Sequence, residues 1–245
     1  MCSPVEDVLG IRDWRDLPGP NWFSGAEIYR RFVASVTGTA VAVELGAWKG
    51  RSALCMGAEI ARSGKRIRFF AVDHWQGSPG ETQHEQDADV REGRLYEMFL
   101  GNIAALSSYV EPIRDDTAAS ARHFEHGSVD FLYVDASHTY AGVLADLIAW
   151  FPKVKVGGLI AGDDWCFATN GEFEVRAAVL DFFGSEAAHL SIERGSAPNE
   201  NWLQWSIVKR DGFRAPTARE LLWRRHRTAA KHGTRRLLRK LRPRV

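Results

Sequence analysis

Residues 43–53 read Val-Glu-Leu-Gly-Ala-Trp-Lys-Gly-Arg-Ser-Ala, and they decide the fold. An apolar β-rich run, Ala40 to Leu45, enters the stretch, and a helical pattern, Ser52 to Arg62, leaves it. Between them lie two glycines spaced Gly-x-x-x-Gly. Glycines after a first strand let the backbone approach a ligand and open a helix toward it. The spacing differs from the G-x-G-x-x-G of dinucleotide binders, so a nicotinamide reading fits poorly.

The alternation continues outward. Strands are expected at Arg68–Asp73, Val110–Arg114, Val129–Asp135 and Val156–Asp163. Helices are expected at Arg91–Leu106, Thr117–Phe124, Tyr140–Phe151 and Glu172–Phe183. His189–Glu193 and Trp202–Lys209 suit a closing hairpin. His74–Val90 is polar, acidic and without period, and reads as a long mobile loop covering the site, with Glu81, Glu85, Asp87 and Asp89 solvated. Strand runs without polar alternation imply a sheet covered on both faces. The expected fold is therefore α/β: a Rossmann-like, doubly wound, mostly parallel seven-stranded sheet with an antiparallel closing hairpin.

The 245 residues suffice for one large domain. Cys2, Cys55 and Cys166 are far apart and odd in number, so neither a disulfide framework nor a zinc spacing is visible. With no apolar leader and no membrane-length apolar run, a cytoplasmic location is expected. The net charge of +1 hides a split: residues 214–245 hold 12 Lys or Arg and a single acid, Glu220, while residues 1–213 are near −10. Residues 1–213 are read as the domain and 214–245 as a basic amphipathic tail. Three readings of the tail compete: packing on the body or in a homo-oligomer, contact with an anionic membrane, and nucleic-acid binding. The chain shows no RNA module, so the nucleic-acid reading is the weakest.

The acids mark the chemistry. Glu44 precedes the glycines, where a carboxylate would repel a pyrophosphate and suits an α-ammonium. Asp73 ends the second strand, where an acid accepts ribose hydroxyls. Asp135 ends the fourth strand, Asp163 ends the fifth and Asp164 follows it. Three carboxylates on one rim repel each other unless a cation lies among them, and oxygen donors suit Mg²⁺. His138, three residues after Asp135, is placed either as a base beside that cation or as a structural histidine.

VELGAWKGRSA, AVDHWQGS, RDDTAASARHF and DASHTYAGVLADLIAWFPKVKVGGLIAGDDW together resemble class I S-adenosylmethionine-dependent methyltransferases. More narrowly they resemble the metal-dependent small-molecule O-methyltransferases: macrolide-sugar and cephalosporin-type enzymes and, more distantly, catechol O-methyltransferase. The resemblance covers about Trp22 to Phe183. It implies that Glu44, Gly46, Gly50 and Ser52 line the methionine end of the cofactor. It places Asp73 and His74 at the ribose, with Trp75 close by, and Asp116 and Thr117 beside the adenine. It makes Asp135, Asp163 and Asp164 the Mg²⁺ ligands, Asp135 and His138 the catalytic pair, and His138 the base where the catechol enzyme has a lysine. Trp22, Trp75 and Trp165 near the rim, with the sugar-methylating likeness, favour a saccharide or other small-molecule hydroxyl as acceptor. The rival readings are a nucleic-acid methyltransferase using the tail and a non-catalytic protein of this fold that only binds the cofactor.

Overall fold

The computed structural model describes residues 13–78, 80–168, 173–196, 198–217 and 219–225. Seven strands form one sheet: β1 (Thr39–Leu45), β2 (Arg66–Asp73), β3 (Glu111–Arg114), β4 (Val129–Val134), β5 (Val154–Gly162), β6 (Ser191–Arg194) and β7 (Leu203–Val208). Their order is β3-β2-β1-β4-β5-β7-β6. The first five are parallel; β7 runs antiparallel to β5 and pairs with β6 as the closing hairpin. The expected sheet is present.

Strand side chains alternate between two apolar layers. Ala42, Phe69, Ala71, Phe131 and Tyr133 face one layer. Val43, Leu45, Phe70, Val72, Leu132 and Val134 face the other. The first layer is closed by α1 (Ala26–Ser35) and α2 (Arg51–Ser63), which pack on each other. Burying Tyr29 and Phe32 of α1 there contributes roughly 1.5–3 kcal/mol each. The second layer is closed by α6 (Tyr140–Trp150) and α7 (Glu174–Phe183). The strand order reverses between β1 and β4, so the crevice at their carboxyl ends is where such sheets bind ligands.

Local chemistry sets the boundaries. Gly50, at φ 86°, opens α2, and Gly64, at φ 62°, closes it. Thr139 caps α6, its hydroxyl accepting from the Gly142 amide. The expected helix over 91–106 is shorter, as α5 (Leu95–Ile103) plus one 3-10 turn. The expected helix over 117–124 is a 3-10 segment, Ala119–His123.

Three expectations need correction. The 74–90 stretch is not a structureless loop: it folds into α3 (Thr82–Gln86) and α4 (Ala88–Arg91). Its acids are not all solvated, since Lys49 Nζ donates to both Asp87 and Asp89 at 2.7 Å. Trp75 is core and not rim: it is 2% exposed, packs on Tyr96 and Phe99, and donates Nε1 to the Trp48 carbonyl.

The described start of the tail lies on the body. Leu221 is buried in the second layer, and Arg224 Nη1 donates to the carbonyls of Asp181 and Phe182 at the end of α7. Residues 226–245, most of the basic segment, lie outside the described residues. No described helix is long and apolar enough to cross a membrane.

Candidate active site

The glycine loop approaches β4 as closely as backbone allows. A Cβ on Gly46 would stand 2.1 Å from the Asp135 carbonyl oxygen, and its φ is +88°. Gly46 N–H donates to the Val72 carbonyl, and Asp135 N–H to that of Leu45. The loop thereby ties β1, β2 and β4 together at the crevice.

Asp73 holds this loop from below. Its Oδ2 accepts from the amides of Ala47 and Trp48 at 2.9 Å each, and its Oδ1 from that of Trp75 at 2.7 Å. Trp48 and Trp75 both have positive φ, 45° and 53°, as does Asp164 at 61°. The three backbone positions lie in the turns that follow β1, β2 and β5, and backbone strain commonly marks a functional site. His74 stands beside Asp73, half-exposed, its Nδ1 accepting from the Gln76 amide.

Glu44 is fully buried. One oxygen accepts from the Tyr29 hydroxyl at 2.7 Å. The other oxygen, Oε2, has no partner. An orphaned carboxylate oxygen under a glycine loop is a receptor for a cationic donor, and the α-ammonium of an adenosyl amino acid fits it. Burial pushes the Glu44 carboxyl up to about 7, with hydrogen bonds from Ser52 and Tyr29 opposing. The sign follows. The neutral acid is favoured in the ligand-free fold, so its ionisation costs stability as pH rises from the unfolded-state value near 4.5 through 7. A bound ammonium needs the carboxylate, so S-adenosylmethionine should bind about fivefold tighter at pH 7 than at pH 6. Calorimetric titration across pH 6–7.5 checks this; Glu44→Gln should bind about 10–100-fold more weakly and flatten the dependence.

The two residues expected beside the adenine, Asp116 and Thr117, make local hydrogen bonds. Asp116 Oδ1 accepts from the Ala119 amide, and Thr117 Oγ1 donates to Asp146 at 2.7 Å. Both stand in the turn after β3.

At the ends of β4 and β5, Asp135, His138 and Asp164 converge: one donor atom of each lies within 4.8 Å of the others. His138 Nε2 is 2.7 Å from Asp164 Oδ2. Its Nδ1 is 3.1 Å from Glu81 Oε1, out of line for a hydrogen bond. Burial lowers the affinity of His138 for a proton, but Asp164 and Glu81 overcome it and the net shift is upward. Burial and the charges of Asp163 and Asp164 push Asp135 well above the carboxylate range. This mutual repulsion is what a cation would relieve, and two carboxylates with open coordination positions suit a hard divalent ion.

Asp163 is oriented differently from its two partners. Its Oδ2 accepts from Ser24 Oγ at 2.6 Å and its Oδ1 from the Asp164 amide at 2.8 Å. Gln204 Nε2 donates to Ser24 Oγ and to the Tyr133 hydroxyl, completing a buried network. Asp163 thus holds Asp164 in its left-handed conformation rather than joining the converging group. Ser24, Tyr29, Tyr133, Gln204 and Glu81 escape a sequence reading. Only the period of α1, with Ile28, Tyr29, Phe32 and Val33 on one face, was available to find Tyr29.

A doubly wound sheet, a glycine loop over a lone buried carboxylate and an acid-rich rim define a class, the S-adenosylmethionine-binding α/β domains. Residues 43–165 match a family model described as a methyltransferase domain, and the chain belongs to that family. An uncharacterised Sinorhizobium fredii protein, y4gI, is 28% identical over 122 residues, covering 50% of this chain and 13% of that protein. The chain thus spans a small fraction of that relative's length. The fold is similar to that of the O-methyltransferase NovP, with a TM-score of 0.58 and 19% identity over 84% of this chain and 88% of that one. An O-methyltransferase from Bacillus cereus, solved with S-adenosylhomocysteine, gives a TM-score of 0.52 and 18% identity over 84% and 90%.

Proposed function

We propose that this protein moves the methyl group of S-adenosylmethionine to a hydroxyl oxygen of a saccharide or glycosylated natural product, with Mg²⁺ as cofactor and His138 as base. The observation that carries the reading is the convergence of Asp135, His138 and Asp164 one strand away from the glycine loop. Asp135 and Asp164 would hold the cation, with Asp163 fixing Asp164 from behind. A divalent cation there would supply Lewis acidity, lowering the pKa of an acceptor hydroxyl.

The chain's own residues do the rest. Glu44 and the Gly46–Gly50 loop orient the cofactor's amino-acid end. His138 stands where it can take the acceptor proton. The segment carrying α3 and α4 excludes water from above. In-line positioning of oxygen and sulfonium methyl is worth about 7–11 kcal/mol in favourable cases. Phe167 supports a ring-shaped acceptor: it is 43% exposed, and its ring centroid lies 5.1 Å from that of His138. An apolar face bare to solvent beside a base suits the flat face of a sugar ring.

The test is methyl transfer by chelator-stripped protein to a panel of saccharides and catechols, with Mg²⁺ titrated in. Turnover that rises with Mg²⁺ is expected, with saccharides preferred. Cofactor binding with no turnover at any metal concentration would leave a binding protein.

A further inference from the structure

The segment over the rim does more than cover it. Its place is set by contacts with the glycine loop. Lys49 Nζ bridges Asp87 and Asp89, and His84 stacks on Trp48 with ring centroids 4.2 Å apart and planes 19° apart. Trp22 packs against both rings. The His84 imidazole also accepts from the Ser78 amide, which fixes the turn into α3.

The residue that this anchoring carries to the site is Glu81. One of its oxygens is 3.1 Å from His138 Nδ1, and the other is 3.4 Å from His84 Nδ1. His138 is therefore flanked by carboxylates on two sides, Asp164 of the rim 2.7 Å from Nε2 and Glu81 of the covering segment 3.1 Å from Nδ1. Among the described residues Nδ1 has no hydrogen-bond partner, and Glu81 is the acid that stands beside it. Which ring nitrogen does the chemistry is set by what the other one bonds.

We propose that Glu81 is a positioning residue for His138: it holds the Nδ1 side of the ring, so that seating the covering segment and aiming Nε2 at the Asp135–Asp164 pair are one event. The catalytic part of this inference rests on His138 being the base; the contact itself does not. A site built this way deprotonates its acceptor only when it is closed to water. The segment's anchor is the cofactor-binding loop, so an ordered cofactor loop also orders the base.

The experiment reads the ring directly. Nitrogen-15-labelled full-length protein, saturated with S-adenosylhomocysteine and Mg²⁺, is examined by long-range proton–nitrogen correlation of its imidazoles. The His138 signals are identified by their loss in His138→Gln. A single ring state with a slowly exchanging Nδ1 proton is expected. Glu81→Ala should lose that proton signal, and Glu81→Gln should keep it, because a carboxamide oxygen leaves an acceptor beside Nδ1. Lys49→Met, which leaves Glu81 intact but frees Asp87 and Asp89, should shift His138 in the same direction as Glu81→Ala, while His123 stays unmoved. Unchanged His138 signals in Glu81→Ala would overturn the proposal.

With an acceptor in hand, Glu81→Ala should lower kcat about 10–100-fold, the usual range for groups that orient a reactive histidine, with KM for S-adenosylmethionine within about twofold. A kcat within twofold of wild type would overturn the positioning role. A wild-type protein that methylates no acceptor would defeat the proposed function, and the nuclear-resonance arm would still decide whether Glu81 holds His138.

Discussion

Gly46→Ala is expected to unfold or severely weaken the domain, and to abolish cofactor binding in whatever remains folded. The added methyl would stand 2.1 Å from the Asp135 carbonyl oxygen and 2.7 Å from the Ala136 Cα, both backbone atoms that cannot swing away. The φ of +88° adds a penalty of its own, about 1–2 kcal/mol for an L side chain. Overpacking against fixed atoms adds about 1–3 kcal/mol. The expected loss is therefore about 3 kcal/mol or more, read as a lower urea midpoint at unchanged slope. Relief of the clash requires β1 and β4 to part at the crevice, which also displaces Glu44 and Asp135. Gly64→Ala is the control: its φ is +62° but nothing lies within 4 Å of an added Cβ, so it should cost only the backbone penalty.

Asp135→Asn is expected to keep the fold and remove the chemistry. The carboxylate is half-buried near Asp163 and Asp164, and desolvation and those charges raise its affinity for a proton. An uncharged amide therefore relieves repulsion in the ligand-free protein, and thermal stability should hold or rise. The proposed cation would lose one of its two carboxylate donors, so Mg²⁺ affinity measured by calorimetry should fall below detection. Methyl transfer should drop by about 10²–10⁴-fold, the range associated with losing positioned proton transfer. His138→Gln should cause a similar loss in turnover. Stability that falls with activity in Asp135→Asn would instead assign the carboxylate to the fold.

The two substitutions separate what the chain encodes locally from what it assembles. Strand positions, both glycines and the acids at strand ends follow from period, polarity and spacing, which are local properties. The doubly wound sheet follows too, because continuous apolar strands alternating with helices can be buried in few other ways. That Glu44 would stand at the glycine loop was legible from its place before Gly46.

Orientation was not legible. Asp163 and Asp164 are neighbours with the same side chain, and spacing cannot distinguish them. The left-handed turn at Asp164 and the hydroxyl of Ser24, 139 positions away from Asp163 in the chain, send one carboxylate into the interior and the other to His138. Trp75 looked like a rim aromatic until its indole was found buried on Phe99 and bonded to Trp48. The acids of the 74–90 segment looked solvated because their partners, Lys49 and His138, are 38 and 57 residues away from Asp87 and Glu81 along the chain. By itself the sequence determined the sheet, its order of elements and the rim on which the acids gather, since these depend on burying apolar periods. Only the tertiary structure decided which acid faces which histidine, because that depends on hydrogen bonds between segments that meet only once the sheet has closed.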